Sequence, residues 1–200
     1  MERVVLVRRF GSPPVDQKEI LRYAGASEST AELSALLADC LAEAEAVLRY
    51  ETCYCFFPLA KLDGRLSLGF AETDSKTAMR ALEGCDGILL LAATLGHGFD
   101  RLLAKYTRLS PARALLLQAV GAERIEALCD LLEETVAEEN PCFTFRPRFS
   151  PGYGDLPLSM QKDVFSALSL PKHLGLALNE SMLVSPSKTV TAIIGLKKGM

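Results

Sequence analysis

The apolar positions of this chain fall into two rhythms. Leu33, Leu36, Leu37, Cys40, Leu41, Ala44 and Val47 return every three or four residues, which predicts an amphipathic helix over 30–49. A second helix is expected over 16–24, where Ile20, Leu21 and Tyr23 are apolar. Residues 3–8 (Arg-Val-Val-Leu-Val-Arg) read as a strand, as do the Tyr-, Cys- and Phe-rich residues 50–59 and, after the Asp63-Gly64 turn, Leu66 to Phe70. Ser75 to Leu82 reads as a short helix capped by Asp74 or Ser75. Gly87 to Thr94 is a continuously apolar strand, and His97 to Tyr106 is helical. Ser110 and Pro111 suit the start of a long helix over 111–138. Residues 140–158 carry four prolines and two glycines and read as an extended, ordered loop. A helix over 159–168 follows. Glu180 to Val184 and Thr189 to Ile194 then look like a β-hairpin around Pro186-Ser187-Lys188. Strands and helices do not alternate regularly, and no repeat or linker divides the chain. The expectation is a single α+β domain over residues 1–200.

Composition narrows the function classes. The chain has 200 residues, 49% hydrophobic and 24% charged, enough to bury roughly 70% of its unfolded surface without a disulfide or metal staple. A net charge of −3 gives no basic surface of the kind nucleic acid requires. The longest apolar run, Ile88 to Ala93, is far short of the about 20 residues of a membrane span. Met1-Glu2-Arg3 leads into a Val/Leu stretch that breaks at Arg8-Arg9, so no signal peptide is read and a cytoplasmic location is expected. Of the six cysteines, Cys40 and Cys129 lie on apolar helix stripes, and Cys53 and Cys55 share one face of a strand. With no C-x-x-C pair and two remote histidines, these are read as buried free thiols, with no metal site.

The familiar enzyme motifs are missing: no phosphate-binding loop, dinucleotide fingerprint, nucleophile elbow or zinc helix. His97, after Gly96, reads as a helix-start residue, and the acidic run Glu133 to Glu139 reads as a solvated face. The informative segment is Arg148-Phe149-Ser150-Pro151-Gly152-Tyr153-Gly154-Asp155. A Pro-Gly-Tyr turn projects an aromatic ring from a stiff backbone, Gly152 permits close approach of a ligand to the main chain, and Arg148 offers planar donors for a carboxylate. Together they suit a zwitterionic ligand with a flat part. The same residues also read as a structural turn with a surface arginine.

Arg148 is followed five residues on by Tyr153 of the Pro-Gly-Tyr turn. Upstream, Asp86-Gly87-Ile88 leads to Thr94-Leu95-Gly96, and helices keep their spacing to Glu126-Ala127. Downstream come Leu174-Gly175-Leu176, Asn179-Glu180-Ser181, Pro186 and Thr189-Val190-Thr191. In this order and spacing, residues 86–195 resemble the activation (reactivation) domain of cobalamin-dependent methionine synthase, here in a free-standing form. Residues 1–85 show no such match.

The resemblance implies an α+β fold with a bent antiparallel sheet and packed helices. It implies an S-adenosylmethionine-binding module that supports reductive methylation of cob(II)alamin in a separate methionine synthase or related corrinoid methyltransferase. The implied partners are that corrinoid-binding subunit, which carries the cobalamin, and an electron donor such as flavodoxin or ferredoxin. The work is placement of a methyl donor, so no general base is needed and no catalytic residue is assigned. Glu126 matches the family's helical glutamate on the amino or ribose side of the ligand, with a solvent-facing helix residue as the other reading. Arg148 matches the arginine at the ligand's carboxylate, Ser150 and Gly152 match positions offering main-chain groups, and Tyr153 matches the tyrosine at the ligand and corrinoid face. Three departures stand beside this. The family's N-terminal acidic ligand residue has no evident counterpart, the stretch from Glu126 to Arg148 is short, and neither the family's C-terminal aromatic contact nor a cysteine-rich tail is present. The alternative is a docking module for a corrinoid protein that does not bind S-adenosylmethionine.

Overall fold

The computed structural model describes residues 4–26 and 30–199. The expected strand start at Arg3, the Met1–Arg3 terminus and Met200 lie outside the described residues. Strand β1 (Leu6–Phe10) leads to α1 (Gln17–Tyr23) and α2 (Ala31–Glu45). Each helix begins on a capping side chain: Asp16 accepts from the Lys18 and Glu19 amides, and Thr30 from that of Leu33. Strand β2 (Tyr50–Pro58) is followed by a small three-stranded sheet of β3 (Ala60–Leu62), β4 (Arg65–Ser67) and β5 (Glu72–Thr73), which turns the single expected strand at 66–70 into a meander. Then come α3 (Lys76–Ala81), β6 (Gly87–Thr94), α4 (His97–Leu109) and α5 (Pro111–Glu139), the last opening on the predicted Ser110 cap and Pro111.

The expected loop at 140–158 contains one short strand, β7 (Phe143–Phe145). A 3₁₀ turn (Leu158–Met160) and α6 (Gln161–Ala167) together fill the predicted helix at 159–168, and a further short helix, α7 (Leu170–Leu174), follows it. The predicted C-terminal hairpin does not form. Strand β8 (Ala177–Leu178) pairs with β9 (Val184–Ser185), while β10 (Thr189–Lys198) pairs with β6 on one side and β7 on the other. Ala192, Ile193 and Ile194 are each fully buried. Successive strand residues face opposite sides, so β10 needs cover on both faces, which a two-stranded hairpin lacks.

The main sheet has the order β1-β2-β6-β10-β7 with every pair antiparallel. It is curled, with helices on both faces, an α+β architecture as the sequence suggests. One face (Tyr54, Leu89, Leu91, Ala192, Ile194) packs on Leu132 and Val136 of α5. The opposite face (Cys53, Cys55, Leu90, Ala92, Ile193) packs on α3, α6 and α7. The outer side of α5 holds α1, α2 and α4 through a third apolar cluster containing Ile20, Cys40, Phe99 and Leu117. Gly121 marks the α4–α5 crossing, where a Cβ would stand 2.5 Å from the Phe99 ring. Among the described residues no helix is long and apolar enough to cross a membrane.

Candidate functional site

The site lies where β10 runs beyond its edge partner. Strand β7 pairs only with Leu196–Lys198, and past it the chain makes a single bridge from Phe149 to Ile193. That bridge sets the alternation of side chains. Phe149 turns into the core beneath α6, so its neighbour Arg148 turns the other way, over α5. There it meets a ladder of carboxylates. Glu126, Asp130 and Glu133 stand at i, i+4 and i+7 on α5 and therefore share one helix face. Arg148 Nη2 donates to Glu126 at 2.5 Å, and Nη1 donates to Asp130 and Glu133, both at 2.6 Å.

Three carboxylates thus surround one guanidinium. Burial opposes the Arg148 charge, but the hydrogen bonds it donates to Glu126, Asp130 and Glu133 outweigh it and drive its pKa further up. Burial pushes the Glu133 carboxyl up, with Arg148 partly offsetting it. Glu133 is therefore not part of a solvated face. It is three-quarters covered and bonded, which corrects the reading of the acidic run. Glu139, at the end of that run, pairs with Arg8.

The Pro-Gly-Tyr turn is rigid. The Tyr153 N–H donates to the Ser150 carbonyl, the Leu156 N–H to the Tyr153 carbonyl, and the Gly152 N–H to the Leu156 carbonyl. Gly152 has φ +93° and faces Leu158, and its amide is used inside the turn. Its position serves the turn, not a lining of the cleft. Asp155 ties this turn to α3: its carboxylate accepts from the Ser75 hydroxyl (2.5 Å) and from the Lys76 and Thr77 amides (2.8 and 3.0 Å). These donors, the Ser75 hydroxyl first, hold the Asp155 carboxyl well below its usual range. Tyr153 is left 64% exposed.

Around this geometry runs a cleft of about 560 Å³. Arg148, Ser150 and Tyr153 line it from the turn, Thr77 and Arg80 from α3, Glu126 from α5 and Val190 from β10. Four of the five predicted site residues therefore meet at one cleft, and Gly152 stands behind it. Glu126 and Arg148 also wall a second cleft of about 410 Å³, shared with Asp130, Asp16, Glu19 and Tyr23. Asp16 is brought there by a buried anchor. Arg124, fully buried, donates to the Pro13 and Pro14 carbonyls and to Glu123, and Glu123 accepts the Asp16 N–H. Acidic groups from the N-terminal part thus do reach the Arg148 cluster, although no motif in residues 1–85 points to them. On the far side of Arg80 a groove of about 480 Å³ carries Lys61, Arg65, Lys76 and Arg80. Sequence reasoning missed Asp130, Glu133 and Arg80. The i, i+4, i+7 spacing from Glu126 was the available signal for the first two, and none existed for Arg80.

No protein-family model matches this chain, and no curated protein is significantly similar to it. Among solved structures, the crystal structure of the MetH reactivation domain bound to AdoHcy is similar with a TM-score of 0.66. The likeness covers 96% of this chain and 78% of that chain at 16% sequence identity. It shows that the chain has that α+β fold.

Proposed function

We propose that this chain is an S-adenosylmethionine-binding activation module. It would support reductive methylation of cob(II)alamin in a separate cobalamin-dependent methionine synthase or a related corrinoid methyltransferase. One observation carries the reading. On a fold similar to the MetH reactivation domain, Glu126, Arg148, Ser150 and Tyr153 converge on one cleft at the uncovered edge of β10. The cleft's size lies in the range of small-molecule sites, roughly 300–1,000 Å³. Its residues fit the ligand's chemistry. The carboxylates beside Arg148 complement a cationic sulfonium and ammonium, and the exposed Tyr153 ring offers a flat apolar face for stacking.

The corrinoid, carried by the partner, would supply the metal that accepts the methyl group. This chain's own residues bind, orient and position. The Asp155 clamp holds the Tyr153 turn against α3, and the Phe149–Ile193 bridge aims Arg148 at the cleft, so donor and acceptor meet in a fixed geometry. The basic groove beyond Arg80 supports docking of an acidic partner such as a flavodoxin- or ferredoxin-type electron donor.

Calorimetric titration with S-adenosylmethionine and S-adenosylhomocysteine tests the reading. Saturable one-to-one binding that weakens in Glu126→Ala is expected. No binding at millimolar ligand would sink it and leave a docking module for a corrinoid protein.

A further inference from the structure

The sequence resemblance assigns the ligand's carboxylate to Arg148, but the structure has already used that guanidinium. Three of its five N–H donors hold Glu126, Asp130 and Glu133. Two negative charges remain uncompensated around it, and one would remain even if Glu133 took up a proton. An incoming carboxylate would have to approach this wall against its field. A second arginine faces the same cleft from the opposite side. Arg80, in the last turn of α3, lines the cleft, is exposed, and makes no ion pair or side-chain hydrogen bond among the described residues.

We propose that Arg80 binds the ligand's α-carboxylate, while the α5 wall of Glu126, Asp130 and Glu133, organised by Arg148, takes its cationic end. This rests on the activation-module reading and refines it. Arg80 becomes a binding residue, and Arg148 becomes a positioning residue that keeps three carboxylates on one face of α5. The zwitterionic head group would lie across the cleft with its negative end toward α3 and its positive end toward α5. Arg80 also stands between the cleft and the second groove, where Lys61 and Lys76 add positive charge, Arg65 is paired with Glu72, and Glu83 is the one carboxylate in the lining.

The test compares two ligands across three proteins by calorimetry. The ligands are S-adenosylhomocysteine and S-(5′-adenosyl)-3-thiopropylamine, the same molecule without its carboxylate. In the parent chain, losing the carboxylate should weaken binding about tenfold, the lower end for a charged hydrogen bond because Arg80 is exposed. In Arg80→Gln that difference between the ligands should vanish, and in Arg148→Gln it should persist, whatever the variant does to overall affinity. A difference that persists in Arg80→Gln and vanishes in Arg148→Gln would overturn the assignment. So would equal binding of both ligands by the parent chain. Failure of the parent chain to bind either ligand is a separate result: it removes the activation-module reading itself, and this assignment with it. Arg80 is on the surface, so its variant folds independently of the outcome.

Discussion

Replacing Arg124 with methionine removes a charge that the structure hides completely. The side chain is 0% exposed and Glu123 beside it 5% exposed. Arg124 donates to the Pro13 carbonyl at 2.7 Å, to the Pro14 carbonyl at 2.6 Å, and twice to Glu123 at 2.6 Å, with Glu45 at 3.9 Å. Arg124→Met leaves a buried carboxylate without its cation, and it removes the donors to the carbonyls of buried Pro13 and exposed Pro14. Breaking a buried pair in this way costs about 3–5 kcal/mol. In a chain of this length that lowers the thermal midpoint by roughly 6–20 °C. The double variant Glu123→Leu/Arg124→Met no longer buries an orphan charge and should recover part of the loss. It should not recover all, because the Asp16 amide and the two proline carbonyls still lack partners. Thermal unfolding followed by circular dichroism, with the two single variants and the double, completes the cycle. A midpoint shift below about 3 °C for Arg124→Met would refute the reasoning. So would a double variant less stable than Arg124→Met. Because Arg124 also fixes Pro13–Asp16 against α5, protease sensitivity of that segment should rise in Arg124→Met.

Other consequences are quicker to check. Asp155→Asn should speed hydrogen exchange at the Lys76 and Thr77 amides and expose the 150–156 turn to proteolysis. The Asp155 carboxyl is depressed in the fold, so its stabilisation is present above the unfolded value of about 3.9 and is lost as pH falls through the folded one. The parent chain should therefore acquire the variant's exchange pattern only below about pH 4, and unchanged exchange in Asp155→Asn would contradict the clamp. Gly121→Ala forces a methyl to within 2.5 Å of Phe99 Cε1 and 2.8 Å of Lys188 Cε and should cost about 1–3 kcal/mol in denaturant unfolding. Thiol labelling of the native chain should be fast at exposed Cys142 and slow at Cys53 and Cys129, whose thiols burial pushes up to about 12. Rapid native labelling of Cys129 would mean that α5 does not cover the sheet as described.

The parts of the fold that were legible are those where pattern and packing agree locally. The three- and four-residue stripe from Leu33, Ser110-Pro111 before the long helix, and the unbroken Gly87–Thr94 run each carry their own signal. The parts that were not legible depend on partners far along the chain. Residues 180–194 have strand-like composition, but β9 finds β8 and β10 finds both β6 and β7, because Ala192 to Ile194 need burial on two faces. Arg8 and Arg9 read as the end of a strand. They lie within β1 instead, since an edge strand tolerates charge, and their partners are Glu139 and Glu51.

The same division runs through the site, and it decides what Arg148 can do. A sequence shows Arg148 as a donor, with a turn beside it, and leaves its partner open. Its partner follows from the alternation that sends Phe149 inward at Ile193 and from a helix face that α5 presents at the same height. Spacing on α5 is readable in the chain, but its distance to Arg148 is not, since residues 140–147 set it. Once the three carboxylates have closed on Arg148, its positive charge is no longer available at long range, and the cleft is polarised between an acidic wall on α5 and the Arg80 guanidinium on α3, which pairs with no side chain among the described residues. A zwitterion entering such a cleft is oriented by the field before any contact forms. On the proposed activation-module reading, that orientation would be the chain's contribution: the direction in which a bound methyl donor points.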